Sequence, residues 1–308
     1  LAGRFGFVKR NSIYPLQFII QSGNSYAIVL TLHPVDVLGR SMNSGQTLLN
    51  RDKMQFYLNT LTGKLNVVQL ANNPEHPTIV FLHDSLGSVE LWRTFPKTLG
   101  ELTQCNVFVY DRQGYGKSSP FTVNSRDNDY LEIEADRLHQ LIEQCGLQRV
   151  ILFGHSDGGS IALIAAAKYP SFILGVITEG AHIFVEEITL EGIREAVTAY
   201  QTTDLKERLQ KYHGEKTEAV FNAWAATWLN DTFRSWNMEQ FLPKIHCPVL
   251  VIQGEKDEFG SLDQVNGIVK QVSGVVSSLI IPAVGHTPHK EAKEIVLEHS
   301  AGFIGTLV

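Results

Sequence analysis

The chain has 308 residues, of which 44% are hydrophobic and 19% charged, and its formal net charge is −6. This is enough apolar material for a sizeable core, and without a basic stripe it excludes a nucleic-acid-binding surface. No apolar run reaches membrane-spanning length. Three cysteines at wide spacing (Cys105, Cys145 and Cys247) read as buried free thiols of a cytoplasmic protein, not as a disulfide framework.

Residues 1–53 read as an N-terminal extension of unassigned role. Phe18-Ile19-Ile20 and residues 27–32 have strand-like composition, but no signal-peptide flank or cleavage site accompanies them. From Met54 the pattern becomes regular. Residues 56–61 and 65–70 alternate on either side of Thr62-Gly63-Lys64, which predicts an antiparallel hairpin. Short continuous apolar runs follow at 78–82, 107–110, 150–153, 174–178, 249–252 and 279–281. Runs without alternation suit strands covered on both faces, as in a parallel sheet.

Helical patterns sit between these runs. Leu131, Ala135, Leu138, Leu141, Ile142 and Cys145 form one apolar stripe, and Gly146 stops it. Such alternation predicts an α/β fold with a mostly parallel, doubly wound sheet and ligands at the carboxyl ends of the strands. Between Thr178 and Val249 the rhythm breaks. Residues 187–200, 204–212 and 216–229 read as amphipathic helices, so 181–245 form a helical cap inserted before the penultimate strand. The core segments are then 54–180 and 246–308. Trp224, Trp228 and Trp236 of the cap have two readings: they pack it onto the core, or they line an apolar substrate pocket.

Gly154-His155-Ser156-Asp157-Gly158 lies between the run at 150–153 and an Ala-rich helical stretch. Gly-x-Ser-x-Gly at a strand–turn–helix junction is a nucleophile elbow, which holds the serine hydroxyl out at the sheet edge. A serine hydroxyl needs a positioned base. Candidates are His83, His155, His182, His286 and His289. His286 follows the last expected strand on a loop above the sheet, which makes it the base; His289 is expected to matter little. A metal reading of His286 and His289 lacks a third ligand nearby. Asp257 follows the run at 249–252 and would fix the imidazole tautomer, with adjacent Glu258 as its substitute. The oxyanion hole needs two aimed N–H groups, expected from Asp157 and Ser85.

These features resemble the α/β-hydrolase superfamily over residues 54–308. The matching features are the His83 loop, Asp111-Arg112-Gln113-Gly114-Tyr115-Gly116-Lys117-Ser118, the elbow, Asp257 and His286. The Asp111–Ser118 segment is a structural turn in that family, and Asp111 stands where a phosphate loop would need Gly. Within the superfamily the chain is most similar to the biphenyl-hydrolase-like group, which includes valacyclovir hydrolase. That likeness rests on Ser156-Asp157-Gly158-Gly159, residues 162–171, Glu191-Gly192-Ile193-Arg194 and Gly254-Glu255-Lys256-Asp257. Two departures stand out: His155 replaces a Trp, and Asp84 replaces the usual Gly of the oxyanion loop.

The resemblance implies a second role for Asp157, binding the α-ammonium of an aminoacyl ester, with Glu179, Glu186 and Glu187 adding negative charge at the rim. The other reading is an acid that favours a helix start. Asp157, His155, Trp224 and Trp228 are thus the candidate substrate-binding residues. The expected activity is cofactor-independent, metal-free hydrolysis of small carboxylic esters by a Ser156–His286–Asp257 triad in a monomer or homodimer. A dehalogenase or epoxide hydrolase of this fold would carry Asp in place of Ser156. A carbon–carbon bond hydrolase of meta-cleavage products shares the triad but usually has Met after the serine. A ligand-sensing protein on the same fold is the non-enzymatic alternative.

Overall fold

A computed structural model describes residues 53–123 and 126–308. The two strand-like stretches noted upstream lie outside the described residues. Strands β1 (Lys53–Thr60) and β2 (Gly63–Leu70) form the expected antiparallel hairpin. Its turn is Leu61-Thr62, one residue ahead of the expected position, because Thr60 pairs with Gly63. The Thr60 hydroxyl closes this tighter turn by donating to Gly63 O at 2.9 Å and accepting from Thr62 N at 3.3 Å. Lys53 already pairs with Leu70, so the strand begins inside the stretch read as extension.

The alternating part runs through β3 (Thr78–Leu82), α1 (Phe95–Thr103), β4 (Asn106–Tyr110), α2 (Tyr130–Gln144), β5 (Val150–His155), α3 (Asp157–Lys168) and β6 (Ile173–Glu179). Three helices follow without a named strand: α4 (Glu187–Thr202), α5 (Leu205–His213) and α6 (Thr217–Trp228). The chain then completes the sheet with β7 (Val249–Gly254), α7 (Leu262–Gln271), β8 (Val276–Ile281), α8 (Pro288–Glu291) and α9 (Lys293–Gly305). The strand order is β1-β2-β4-β3-β5-β6-β7-β8, parallel from β4 onward, with β2 antiparallel to both neighbours. This is the doubly wound α/β sheet expected, with its helical insertion before the penultimate strand.

The central strands read as continuous apolar runs because each face feeds a different core. Val80 and Leu82 of β3 and Val150 and Leu152 of β5 join one cluster, with the buried stripe of α2. Ile79, Phe81, Ile151 and Phe153 join the other, against Phe95 and Leu99 of α1 and Val296 and Leu297 of α9. Helix α2 ends as expected: Leu147 N bonds Ile142 O and Gly146 N bonds Glu143 O, each at 3.0 Å, with Gly146 at φ 65°. No helix among the described residues is long and apolar enough to cross a membrane.

Candidate active site

Strand β5 ends at His155 and α3 begins at Asp157, which leaves Ser156 alone in the turn. Ser156 has φ 54° and ψ −121°, a backbone state that costs a residue with a side chain roughly 1–3 kcal/mol. The flanking glycines have a steric cause. A Cβ on Gly154 would stand 2.2 Å from Gly158 O, and one on Gly158 would stand 2.1 Å from Leu82 O. The turn therefore closes only without those two side chains. The Ser156 carbonyl accepts from Gly159 N at 2.8 Å and Ser160 N at 3.1 Å. In a trans peptide the Asp157 N–H must then point the opposite way, out of the helix start.

The same geometry operates in the loop after β3. Arg112 Nη2 donates to Asp84 O at 2.9 Å and to His83 O at 3.2 Å. His83 Nδ1 also lies 2.7 Å from Asp84 O, while its Nε2 accepts from Arg112 N at 3.1 Å. With the Asp84 carbonyl held inward by these donors, the Ser85 N–H of the same peptide faces outward. Asp84 is not among the residues with positive φ, so its replacement of Gly strains nothing there. Arg112 is held by the structural turn expected from the sequence. Asp111 of that turn accepts from Val89 N at 2.7 Å, Asn66 Nδ2 at 2.8 Å and Lys117 N at 2.9 Å.

A cavity of about 160 Å³ opens beside these elements and is lined in part by Ser85, Ser156, Asp157 and His286. His286 Nδ1 lies 2.9 Å from each oxygen of Asp257. Asp257 is oriented in turn by Phe259 N at 2.8 Å, Gly260 N at 3.2 Å and Gln253 Nε2 at 2.7 Å. Burial opposes charge on His286, but the Asp257 carboxylate and its hydrogen bond, with smaller help from the charges of Glu258 and Asp84, hold the imidazole above its usual pKa. Burial would raise Asp257, but the charge and hydrogen bond of His286, together with the Phe259 N–H and the charge of His182, bring its carboxyl below the usual range. Glu258 also lines the cavity, but it meets the backbone of His286: Oε2 accepts from His286 N at 3.2 Å. Ser156 and His286 share the cavity wall without a hydrogen bond between their side chains, a spacing that substrate-free sites often show.

The other histidines have separate tasks. His83 supports the loop after β3, as above. His155, expected at the substrate, is not among the cavity-lining residues. It is buried, with Nε2 2.8 Å from His286 O. His289 is buried as well, outside the cavity lining, and its Nδ1 lies 2.7 Å from Glu179 Oε2. His182 lines the cavity.

Trp224 and Trp228 of α6 line the cavity, and both are also largely buried. Trp236 instead stacks on Phe233 at 5.5 Å. Asp157 lines the cavity yet is 0% exposed. Its Oδ1 accepts from Tyr130 OH at 3.1 Å, and that hydroxyl accepts from Trp228 Nε1 at 3.0 Å. Its Oδ2 lies 3.8 Å from Arg112 Nη1. The carboxylate thus ties the nucleophile helix to the insertion and faces an internal cation. Glu179, Glu186 and Glu187, expected at the rim, do not line this cavity. Glu179 is paired with His289, Glu186 accepts from Ser261 N at 3.0 Å, and Glu187 is exposed and paired with Arg194 at 2.8 Å.

A strained serine between strand and helix, a buried Asp–His pair and two outward N–H groups define the hydrolase class of α/β sheets. Residues 77–238, just over half of the chain, match the family described as alpha/beta hydrolase fold, and the chain belongs to that family. Among named proteins it is similar to human (Homo sapiens) serine hydrolase BPHL, with 29% identity over 255 residues covering 78% of this chain and 79% of that protein. It is also similar to lipase 1 of Psychrobacter immobilis, with 24% identity over 291 residues covering 85% and 89%. A solved bacterial membrane phospholipase A shares the fold, with a TM-score of 0.67 and 22% identity over 83% of this chain and 87% of that one. The resemblance to the biphenyl-hydrolase-like group is thereby borne out, and hydrolysis of esters in general is supported.

Proposed function

We propose that the protein is a cofactor-independent serine hydrolase of small carboxylic esters. The observation that carries this reading is the junction of Ser156, the Asp257–His286 pair and two unengaged N–H groups at one cavity. His286 takes the Ser156 proton as the hydroxyl attacks the ester carbonyl, and Asp257 steadies the imidazolium. The oxyanion is received by the N–H groups of Ser85 and Asp157. His286 then protonates the leaving alcohol, and water attacks the acyl-enzyme with the same base.

The charge of the wall supports one substrate class over another. Asp84, Asp157 and Glu258 line the cavity, and among the described residues no lysine or arginine does. A meta-cleavage product carries a carboxylate that this wall would repel, so the carbon–carbon hydrolase reading is the weaker one. Uncharged esters suit the wall. For an α-amino ester, support from Asp157 is reduced by its contacts with Tyr130 and Arg112. A cytoplasmic setting is supported by three unpaired thiols, with burial pushing Cys145 and Cys247 up to about 11.

The test is turnover of p-nitrophenyl butyrate together with labelling by an alkyl phosphonate. Ser156→Ala should abolish both, with a loss of at least about 10³-fold in rate. A parent protein that binds small esters and turns none over would favour the ligand-sensing alternative. Full labelling of Ser156→Ala would overturn the nucleophile.

A further inference from the structure

His182 follows β6 and stands in the same cavity wall as Ser156 and His286. Its backbone is clamped to the nucleophile helix: its N–H donates to Ser160 Oγ at 3.1 Å, and its C=O accepts from the Ser160 hydroxyl at 2.6 Å. Its ring meets Trp228 edge-on, with centroids 5.1 Å apart, and lies 5.9 Å from the His286 ring. The position is therefore set by packing. His182 is 3% exposed, and Nδ1 is enclosed without any hydrogen-bond partner. Among the described residues, its only hydrogen bonds are the two backbone bonds to Ser160.

A buried imidazole without a partner is costly unless water or a ligand completes it. Two hydroxyls of this wall are already engaged. The Thr189 hydroxyl donates to Phe259 O at 2.5 Å, and the Thr287 hydroxyl donates to Glu291 at 2.8 Å. Ile193, Trp224, Trp228 and Phe259 make the rest of this side apolar. Burial, reinforced by the charge of His286, pushes the His182 pKa down to about 4. At neutral pH the ring is therefore uncharged, with one N–H donor and one nitrogen acceptor. A carboxylate partner would meet the acids of the wall and no lysine or arginine. A hydroxyl or carbonyl group matches the neutral ring and leaves no charge buried.

We propose that His182 determines specificity by hydrogen-bonding an uncharged hydroxyl or carbonyl group on the acyl part of the ester. The proposal rests on the serine-hydrolase reading above. The acyl part is the relevant one because it occupies the cavity in both half-reactions, so one contact acts on both transition states.

The test compares p-nitrophenyl butyrate with p-nitrophenyl 3-hydroxybutyrate in the parent, in His182→Phe and in His182→Asn. The quantity read is the ratio of kcat/KM for the hydroxylated ester to that for the plain one. Damage shared by both esters cancels in this ratio. His182→Phe keeps the ring shape and removes its polarity, so the ratio should fall about ten- to a hundred-fold. His182→Asn keeps a donor and an acceptor and should recover part of the loss. Thermal melting verifies the fold, and His182→Leu serves the same comparison should the Phe variant not fold. The same ratio in all variants would overturn the inference and leave the hydrolase reading intact. A parent inert towards both esters would overturn that reading and the inference with it.

Discussion

Two histidine–carboxylate pairs stand at the same end of the sheet, their histidines on one short stretch of chain, and their surroundings separate them. His286 Nδ1 lies 2.9 Å from both oxygens of Asp257, and His289 Nδ1 lies 2.7 Å from Glu179 Oε2. The first pair opens onto a cavity shared with Ser156. The second is sealed: the His289 ring packs 4.6 Å from Trp92 and 5.7 Å from Phe95, and Glu179 is fully buried. Asp257 receives three further hydrogen bonds, whereas Glu179 Oε1 has no partner. An imidazole paired with a carboxylate thus suits the proposed base in one place and an internal strut in the other. Access to a reacting group decides which.

The largest expected effect breaks the first pair from the histidine side. His286→Ala should lower kcat/KM by at least about 10³-fold while thermal melting stays close to that of the parent. Asp257→Asn should come next, with a loss on the order of 10²- to 10⁴-fold, because the amide mis-sets the imidazole tautomer. It should also move the pH profile. The base acts when neutral, so kcat/KM rises with pH through the His286 pKa. Burial lowers that pKa, and Asp257, the largest of the acids that oppose it, leads a net rise to which Glu258 and Asp84 add. With the carboxylate gone, burial prevails and the inflection should move to lower pH. An inflection that stayed in place would mean that Asp257 does not govern the base.

The second pair should respond in stability instead. His289→Ala would leave Glu179 buried without its partner, a change that typically costs about 3–5 kcal/mol. Urea denaturation would read it as a lower midpoint. Glu179→Gln removes the charge and keeps the shape, so it should cost less. Equal destabilisation by the two variants would mean that packing, not the buried charge, holds this region.

This contrast also marks what was legible in the sequence. Ser156, Asp257 and His286 each follow a short apolar run, so local pattern alone carried them to strand ends. The partner of His289 is 110 residues away in the chain, and only tertiary packing brings Glu179 to it. The burial of Asp157 against Tyr130 and Arg112 was hidden for the same reason: a motif gives a position, not the direction of a side chain. Two helices went unread on propensity. Helix α1 is short and opens on aromatic Phe95, and α7 carries Asn266-Gly267 at its centre, both poor helix formers. Strand β8 was half seen because Ser277 and Ser278 are exposed at the sheet edge.

The smallest expected effect sharpens the assignment of the acid itself. Glu258 is adjacent to Asp257 and also lines the cavity, so sequence order alone leaves it as a substitute. Its contact is of a different kind: Oε2 accepts from the backbone N–H of His286 at 3.2 Å, not from the ring. Glu258→Gln retains a carbonyl oxygen that can accept the same bond. The loop should therefore hold, and kcat/KM should fall by no more than roughly five-fold, about 1 kcal/mol. The charge of Glu258 is a lesser contributor than Asp257 to the raised pKa of His286. Its removal should move the pH inflection downward, and by less than Asp257→Asn does. The two variants thus share a direction and differ in size. Should Glu258→Gln prove the crippling change and Asp257→Asn the mild one, the base would take its orientation from the backbone side, and the triad would have to be rebuilt around Glu258.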